Sequence, residues 1–135
     1  MHAQLHQRGK EFGIVFGDRT LLYNSRLALE ASEYARDMGQ YDVFHKNIFH
    51  AYFTEALDIG NLDVISDVAQ KSGLDTDGVI KAIKDHSYSP RLDEAREEGR
   101  LINLTGVPTF IINGRYKIVG AQPVEVFKEI FRKQI

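Results

Sequence analysis

The sequence predicts an α/β chain, mostly helical, that closes on a β-hairpin and a final helix. Three observations carry that prediction. Apolar residues recur at helical spacing up to about residue 105, two β-rich runs then flank an Asn-Gly pair, and a Pro-led amphipathic segment ends the chain. At 135 residues, 43% of them hydrophobic and 27% charged, the chain has ordinary globular usage, and one domain is expected. No internal repeat or Pro/Gly-rich linker interrupts it.

The first residues, through about Glu11, form a predicted helix that ends at Gly13, and Ile14-Val15-Phe16 follows as an apolar stretch or short strand. From Asn24, the expected N-cap, Leu27, Ala31, Tyr34, Ala35 and Met38 fall on one helical face, and Gly39 supplies the left-handed residue that stops it. A second helix starts near Asp42 and carries Phe44, Ile48, Phe49, Tyr52, Phe53 and Ala56. That stripe is wide enough to face two neighbours, so this is the expected central core helix. Leu62, Ile65, Val68 and Ala69 mark a third helix ended by Gly73, and Asp75 caps a fourth bearing Val79, Ile80 and Ile83. A fifth runs from about Pro90, whose missing N–H is harmless in a first turn, through Leu92, Ala95 and Glu98 toward Ile102.

Asn113-Gly114 then lies between Thr109-Phe110-Ile111-Ile112 and Arg115-Tyr116-Lys117-Ile118-Val119. A type I′ turn needs φ > 0 at both central residues, which makes Asn-Gly between β-rich runs the strongest short-range hairpin signal. Gly120 ends the second strand. Pro123 suits position N1 of a helix whose apolar face is Val124, Phe127, Ile130 and Phe131, with Arg132 and Lys133 where the helix dipole favours cations.

Composition excludes several function classes. A formal net charge of −2 with both signs interspersed lacks the concentrated basic surface that neutralises nucleic-acid phosphates or anionic lipid, so neither nucleic acid nor membrane is an expected partner. The longest apolar runs fall far short of the roughly 20 residues that span a bilayer. The first eight residues are polar, with no apolar core of a signal peptide, and a cytoplasmic location is expected. The chain contains no cysteine, which excludes disulfides, zinc thiolate sites and any thiol nucleophile encoded within it.

Thr105-Gly106-Val107-Pro108-Thr109-Phe110, the strand, the Asn-Gly turn, the second strand, Gly120-Ala121-Gln122-Pro123 and the last helix resemble the C-terminal ββα half of the thioredoxin fold. More specifically, the Gly-Ala-Gln-Pro stretch, Phe49-His50-Ala51-Tyr52-Phe53-Thr54-Glu55 with Asp58-Ile59, and Asn24-Ser25-Arg26-Leu27-Ala28 resemble the DsbA-like oxidoreductase family, in its FrnE-like subgroup. The resemblance runs from about Thr20 to the end. It implies a truncated thioredoxin-like fold: residues 1–19 as an N-terminal helix and connector, 20–104 as a helical insertion of about five helices, and 105–135 as the ββα half. It also implies a cis peptide at Pro108, since an X-Pro bond makes the cis form cheap. Family members begin with a strand, a Cys-containing redox motif at a helix N-terminus and a second strand. Nothing in this sequence matches that βαβ unit, so the chain is expected to start after it.

Several functional expectations follow. The resemblance implies thiol-disulfide oxidoreduction or, in relatives, glutathione-linked transfer and isomerisation; this chain alone is expected to be redox-dead, with no catalytic residue and no cofactor. Val107, Pro108 and Thr109 are the substrate-binding residues the family implies, where a backbone segment receives an extended peptide or thiol ligand by strand-like hydrogen bonding; a purely structural turn is the other reading. A lone hairpin is marginal in water and exposes edges, so a homodimer through the hairpin strands or by element exchange is expected, with Ile14-Val15-Phe16 folding back as the missing edge as its rival. A second function class is a non-catalytic binding or assembly module that uses the same groove and edge.

The remaining polar motifs have plainer readings. His45 and His50 lie five apart and do not share a helical face, and His2 and His6, at i, i+4, have no evident third ligand, so no metal site is expected. Asp75-Thr76-Asp77-Gly78 lacks the later ligands of a calcium loop and is read as a cap. Asp93, Glu94, Glu97 and Glu98 with Arg91, Arg96 and Arg100 form an expected solvated face of ion pairs. Asn103-Leu104-Thr105 matches a glycosylation sequon without a secretory signal to support its use. Phe44, Phe49, Tyr52 and Phe53 could line a pocket, with core packing as the favoured role.

Overall fold

The computed structural model describes residues 2–133, with side chains from Gln4 to Lys133. Among the described residues seven α-helices and two strands follow in order: α1 (His2–Glu11), α2 (Arg26–Asp37), α3 (Tyr41–Phe49), a π-helical turn (His50–Thr54), α4 (Leu62–Lys71), α5 (Thr76–Lys84), α6 (Ser89–Leu101), β1 (Thr109–Ile112), β2 (Tyr116–Val119) and α7 (Val124–Arg132). The chain forms two compact units, Met1–Leu92 and Asp93–Ile135. Their division falls inside α6, after its first turn.

The first unit is a helical cluster around Phe44, Ile65 and Val79, whose side chains are fully buried. Small residues on α2 let its neighbours approach closely: Ala28, Ala31 and Ala35 line the core. Met38, expected on that face, is the exposed C-terminal cap instead. The helix begins one residue later than Asn24 would set it, at Arg26, yet the Asn24 carboxamide oxygen accepts the Arg26 N–H at 2.9 Å and so does the capping. Asn61 and Asp75 cap α4 and α5 through side-chain oxygens that accept from Asp63 N and Gly78 N. Gly39 and Gly73 take the positive φ that ends α2 and α4.

The second helix departs from its predicted course. It is α-helical to Phe49 and then widens into the π turn, with the Glu55 N–H reaching the His50 carbonyl at 3.0 Å and the Leu57 N–H reaching Ala51 at 2.9 Å; Ala56 leaves at φ 57°. A widened turn leaves the Phe53 carbonyl without a helical donor, and the Gly17 N–H takes it at 2.8 Å. The Thr54 hydroxyl donates to the Val15 carbonyl at 2.9 Å. Ile14-Val15-Phe16 therefore lies along the π turn and is not a strand: the sheet among the described residues has β1 and β2 alone.

In the second unit β1 and β2 pair antiparallel, Thr109 opposite Val119 and Ile112 opposite Tyr116. The turn keeps the expected positive φ at Asn113 (51°) and Gly114 (66°). Arg115, expected to begin the second strand, joins the turn and donates its N–H to the Ile112 carbonyl at 3.1 Å. On one face of the sheet Phe110 meets Phe127 of α7 edge to face at 5.0 Å. On the other, Lys117 donates to the carbonyls of Ile102 and Asn103, which pins the end of α6. Pro123 is the N-cap of α7, one place before the predicted N1.

Candidate functional site

Val107, Pro108 and Thr109 lead directly into β1, and the Val107–Pro108 peptide is cis. Val107 is 82% exposed. The Thr109 hydroxyl turns back to the Gly106 carbonyl at 2.6 Å, and the Gly120 N–H donates to the Pro108 carbonyl at 2.7 Å. That last bond fixes which main-chain groups point where. In an antiparallel ladder, residues alternate between pairs that exchange hydrogen bonds and pairs that do not. With Pro108 bonded to Gly120, residues 110 and 112 direct their main-chain groups at β2, whereas Val107, Thr109 and Ile111 direct theirs outward, along the edge of β1 that has no neighbour among the described residues. The site is a short, open strand edge of alternate residues.

Its apolar surroundings are poorly covered. In the second unit Ile118, 5% exposed, is the one buried apolar side chain among the described residues, while Val107, Phe110, Ile111, Val119, Val124 and Phe131 are exposed. The apolar face predicted for α7 exists, but none of its residues is fully buried. A sheet of two strands leaves too little area to cover them.

The histidines, Asp75 and Arg91 are placed within the helical unit. His45 stacks between Tyr41 and Phe49, with ring centroids 5.2 and 4.4 Å away, and His50 faces Glu55 at 3.8 Å. The His2 side chain lies outside the described residues. Asp75 serves as a cap, its carboxylate accepting the Gly78 N–H at 3.2 Å. The ion-pair face of α6 is in part local, Arg100 with Glu97, but Arg91 leaves it to grip Asp37 at the end of α2 through two bonds of 2.8 and 2.9 Å, with the Tyr88 hydroxyl donating to the same carboxylate. The Arg91 guanidinium, and after it Tyr88, hold the Asp37 carboxyl below its ordinary value. Burial, then Asp37, pushes the Tyr88 hydroxyl up.

Of the four aromatics on the second helix, Phe44 alone is fully buried, at 0% exposure, and Tyr52 packs partly buried against the core. Phe49 is 50% exposed, and the π turn swings Tyr52 and Phe53 toward residues 16–23, where Phe16 meets Phe53 edge to face and Arg19 lies over the Tyr52 ring at 3.9 Å. Sequence spacing missed Arg19 because an irregular segment carries it. It also missed Glu30, which at 1% exposure is buried on α2 and held by Arg26 at 3.3 Å; an i, i+4 Arg-Glu pair was the available signal.

Comparison with known proteins agrees with this architecture. A model of the DSBA-like thioredoxin domain matches residues 1–132. The uncharacterized protein YwbO of Bacillus subtilis (strain 168) is 32% identical over 107 residues, which are 76% of this chain and 52% of that protein. The crystal structure of a probable DsbA oxidoreductase, SCO1869, from Streptomyces coelicolor superposes with a TM-score of 0.80 at 21% identity, covering 97% of this chain and 57% of that one. The chain thus spans little more than half the length of either, and the structural likeness is one of fold.

Proposed function

Since the chain belongs to the DSBA-like thioredoxin domain family and carries no cysteine, we propose that it is the part of a thiol-disulfide oxidoreductase fold that binds substrate and does no dithiol chemistry by itself. Thiol-disulfide exchange begins with a thiolate attacking a disulfide sulfur, and no side chain here can supply one. What the chain has is the outward edge formed by Val107, Thr109 and Ile111, and that edge is the observation that carries the reading. An extended peptide, or the main chain of a thiol ligand, adds to such an edge by strand hydrogen bonds. In the absence of substrate the same edge is taken by a second copy of the chain, giving a homodimer through the hairpin strands. The reading also puts the chain in the FrnE-like subgroup and in the cytoplasm.

A second reading, a non-catalytic dimeric binding or assembly module, is favoured by the excess of exposed over buried apolar side chains around the hairpin. One experiment separates the two. Insulin reduction by dithiothreitol is measured with the chain alone and with the chain co-expressed with an N-terminal βαβ half, bearing its redox motif, from a relative. No catalysis alone and catalysis with the added half are expected; no catalysis in either supports the module, and catalysis by the chain alone contradicts both.

A further inference from the structure

A cavity of about 480 Å³ lies between the middle of α1, residues 14–19 and the end of α3 with the π turn, wholly within the helical unit. Its walls are Leu5, Ile14, Phe16, Phe49 and Phe53, and its polar contributors include Arg19, His6 and His50. No carboxylate lines it. His6 and His50 stand 3.8 Å from Asp18 and Glu55, which are outside the lining. Arg19 has no carboxylate within ion-pair distance among the described residues; it stacks on Tyr52 at 3.9 Å, lies 5.5 Å from the Phe53 ring centre, and spends one N–H on the Tyr52 carbonyl at 3.4 Å. A guanidinium has five N–H donors in a planar fork suited to a carboxylate. An apolar cavity with one unneutralised fork at its wall selects a ligand with an apolar body and a single negative end.

The cavity is built rather than incidental. Gly17 closes one side, where its N–H bonds to the Phe53 carbonyl and where any Cβ would collide with the Thr54 carbonyl. Thr54 ties Val15 to the same turn, and the aromatic run His6, Phe16, Phe53, Phe49 continues along the wall with centroid spacings of 5.4 to 6.2 Å. Its size lies within the roughly 300–1,000 Å³ typical of small-molecule sites.

We propose that this cavity binds a small monocarboxylate with a medium-length alkyl or an aryl tail, the tail against Phe16 and Phe53 and the carboxylate on Arg19. The proposal goes beyond the strand-edge reading and is independent of it. The test is a titration of the full chain, followed by amide ¹H–¹⁵N spectra, with octanoate, octan-1-ol and octylammonium in parallel, each well below its aggregation limit. Saturating shifts at Gly17, Phe53 and Thr54 with octanoate, weaker binding of the alcohol and none of the ammonium are expected. Arg19→Met is expected to lower octanoate affinity about tenfold or more while changing the alcohol less than about twofold, and Arg19→Lys to recover part of the loss. Octanoate shifts that do not saturate or fall elsewhere, ammonium binding equal to octanoate, or an unchanged affinity in Arg19→Lys and Arg19→Met would each overturn it. The wild-type comparison of the three ligands decides the matter even if Arg19→Met fails to fold.

Discussion

Gly17 illustrates what a single position must satisfy in this protein. Its amide is the donor for the orphan Phe53 carbonyl, and the space where a side chain would begin is occupied by the Thr54 carbonyl. Gly17→Ala should therefore destabilise the chain by about 1–3 kcal/mol through overpacking, read as a lower urea midpoint with an unchanged slope; a wild-type midpoint would show that the segment does not pack on the π turn. Asp37 is a second case. Its folded-state value is lowered by Arg91 and Tyr88 from the usual 3.8, so its stabilising contribution is fully present above the unfolded value and is lost as pH falls through the folded one. A carbon-detected titration of the Asp37 carboxyl should show a midpoint below 3.8 that returns toward it in Arg91→Met, and equal midpoints would remove the contact. Neither residue was legible in the sequence. Gly17 looks like any loop glycine, and Arg91 reads as part of a local helical charge pattern when its partner lies 54 positions away.

At the scale of elements, legibility followed the strength of local signals. Gly39, Gly73, Asp75 and the Asn113-Gly114 pair each satisfy an identified backbone group or require positive φ, and the structure uses each of them so. Asp75→Ala should cost about 1 kcal/mol and raise hydrogen exchange in the first turn of α5 more than elsewhere; uniform exchange would place the cap's contribution in doubt. The π turn left no such trace. Its cause is tertiary, a carbonyl of the turn bonded to Gly17 from 36 residues earlier, and an apolar stripe at helical spacing does not distinguish α from π. The consequence is that Phe49 and Phe53 line a cavity while Phe44 stays buried in the core and Tyr52 packs partly buried against it.

For the whole molecule, the thioredoxin-like family was legible because its C-terminal ββα half is a run of local signals, and the family match over residues 1–132 bears that out. What completes the sheet was not legible, because an unpaired edge is a property of three-dimensional neighbours rather than of the strand that bears it. The helical unit holds nearly all of the buried apolar side chains, and the second unit exposes most of its own. A chain so divided is stable through its helices and incomplete at its hairpin, which is the physical basis for the partnered strand edge proposed above.

The most direct test is amide hydrogen exchange at Thr109 and Ile111, the outward-facing residues of β1, measured across protein concentration with Phe110 as the internal reference. A paired edge should slow Thr109 and Ile111 toward the protection of Phe110 as concentration rises. Exchange at those two amides that stays as fast as in an exposed loop at every concentration, with Phe110 protected throughout, would contradict the account.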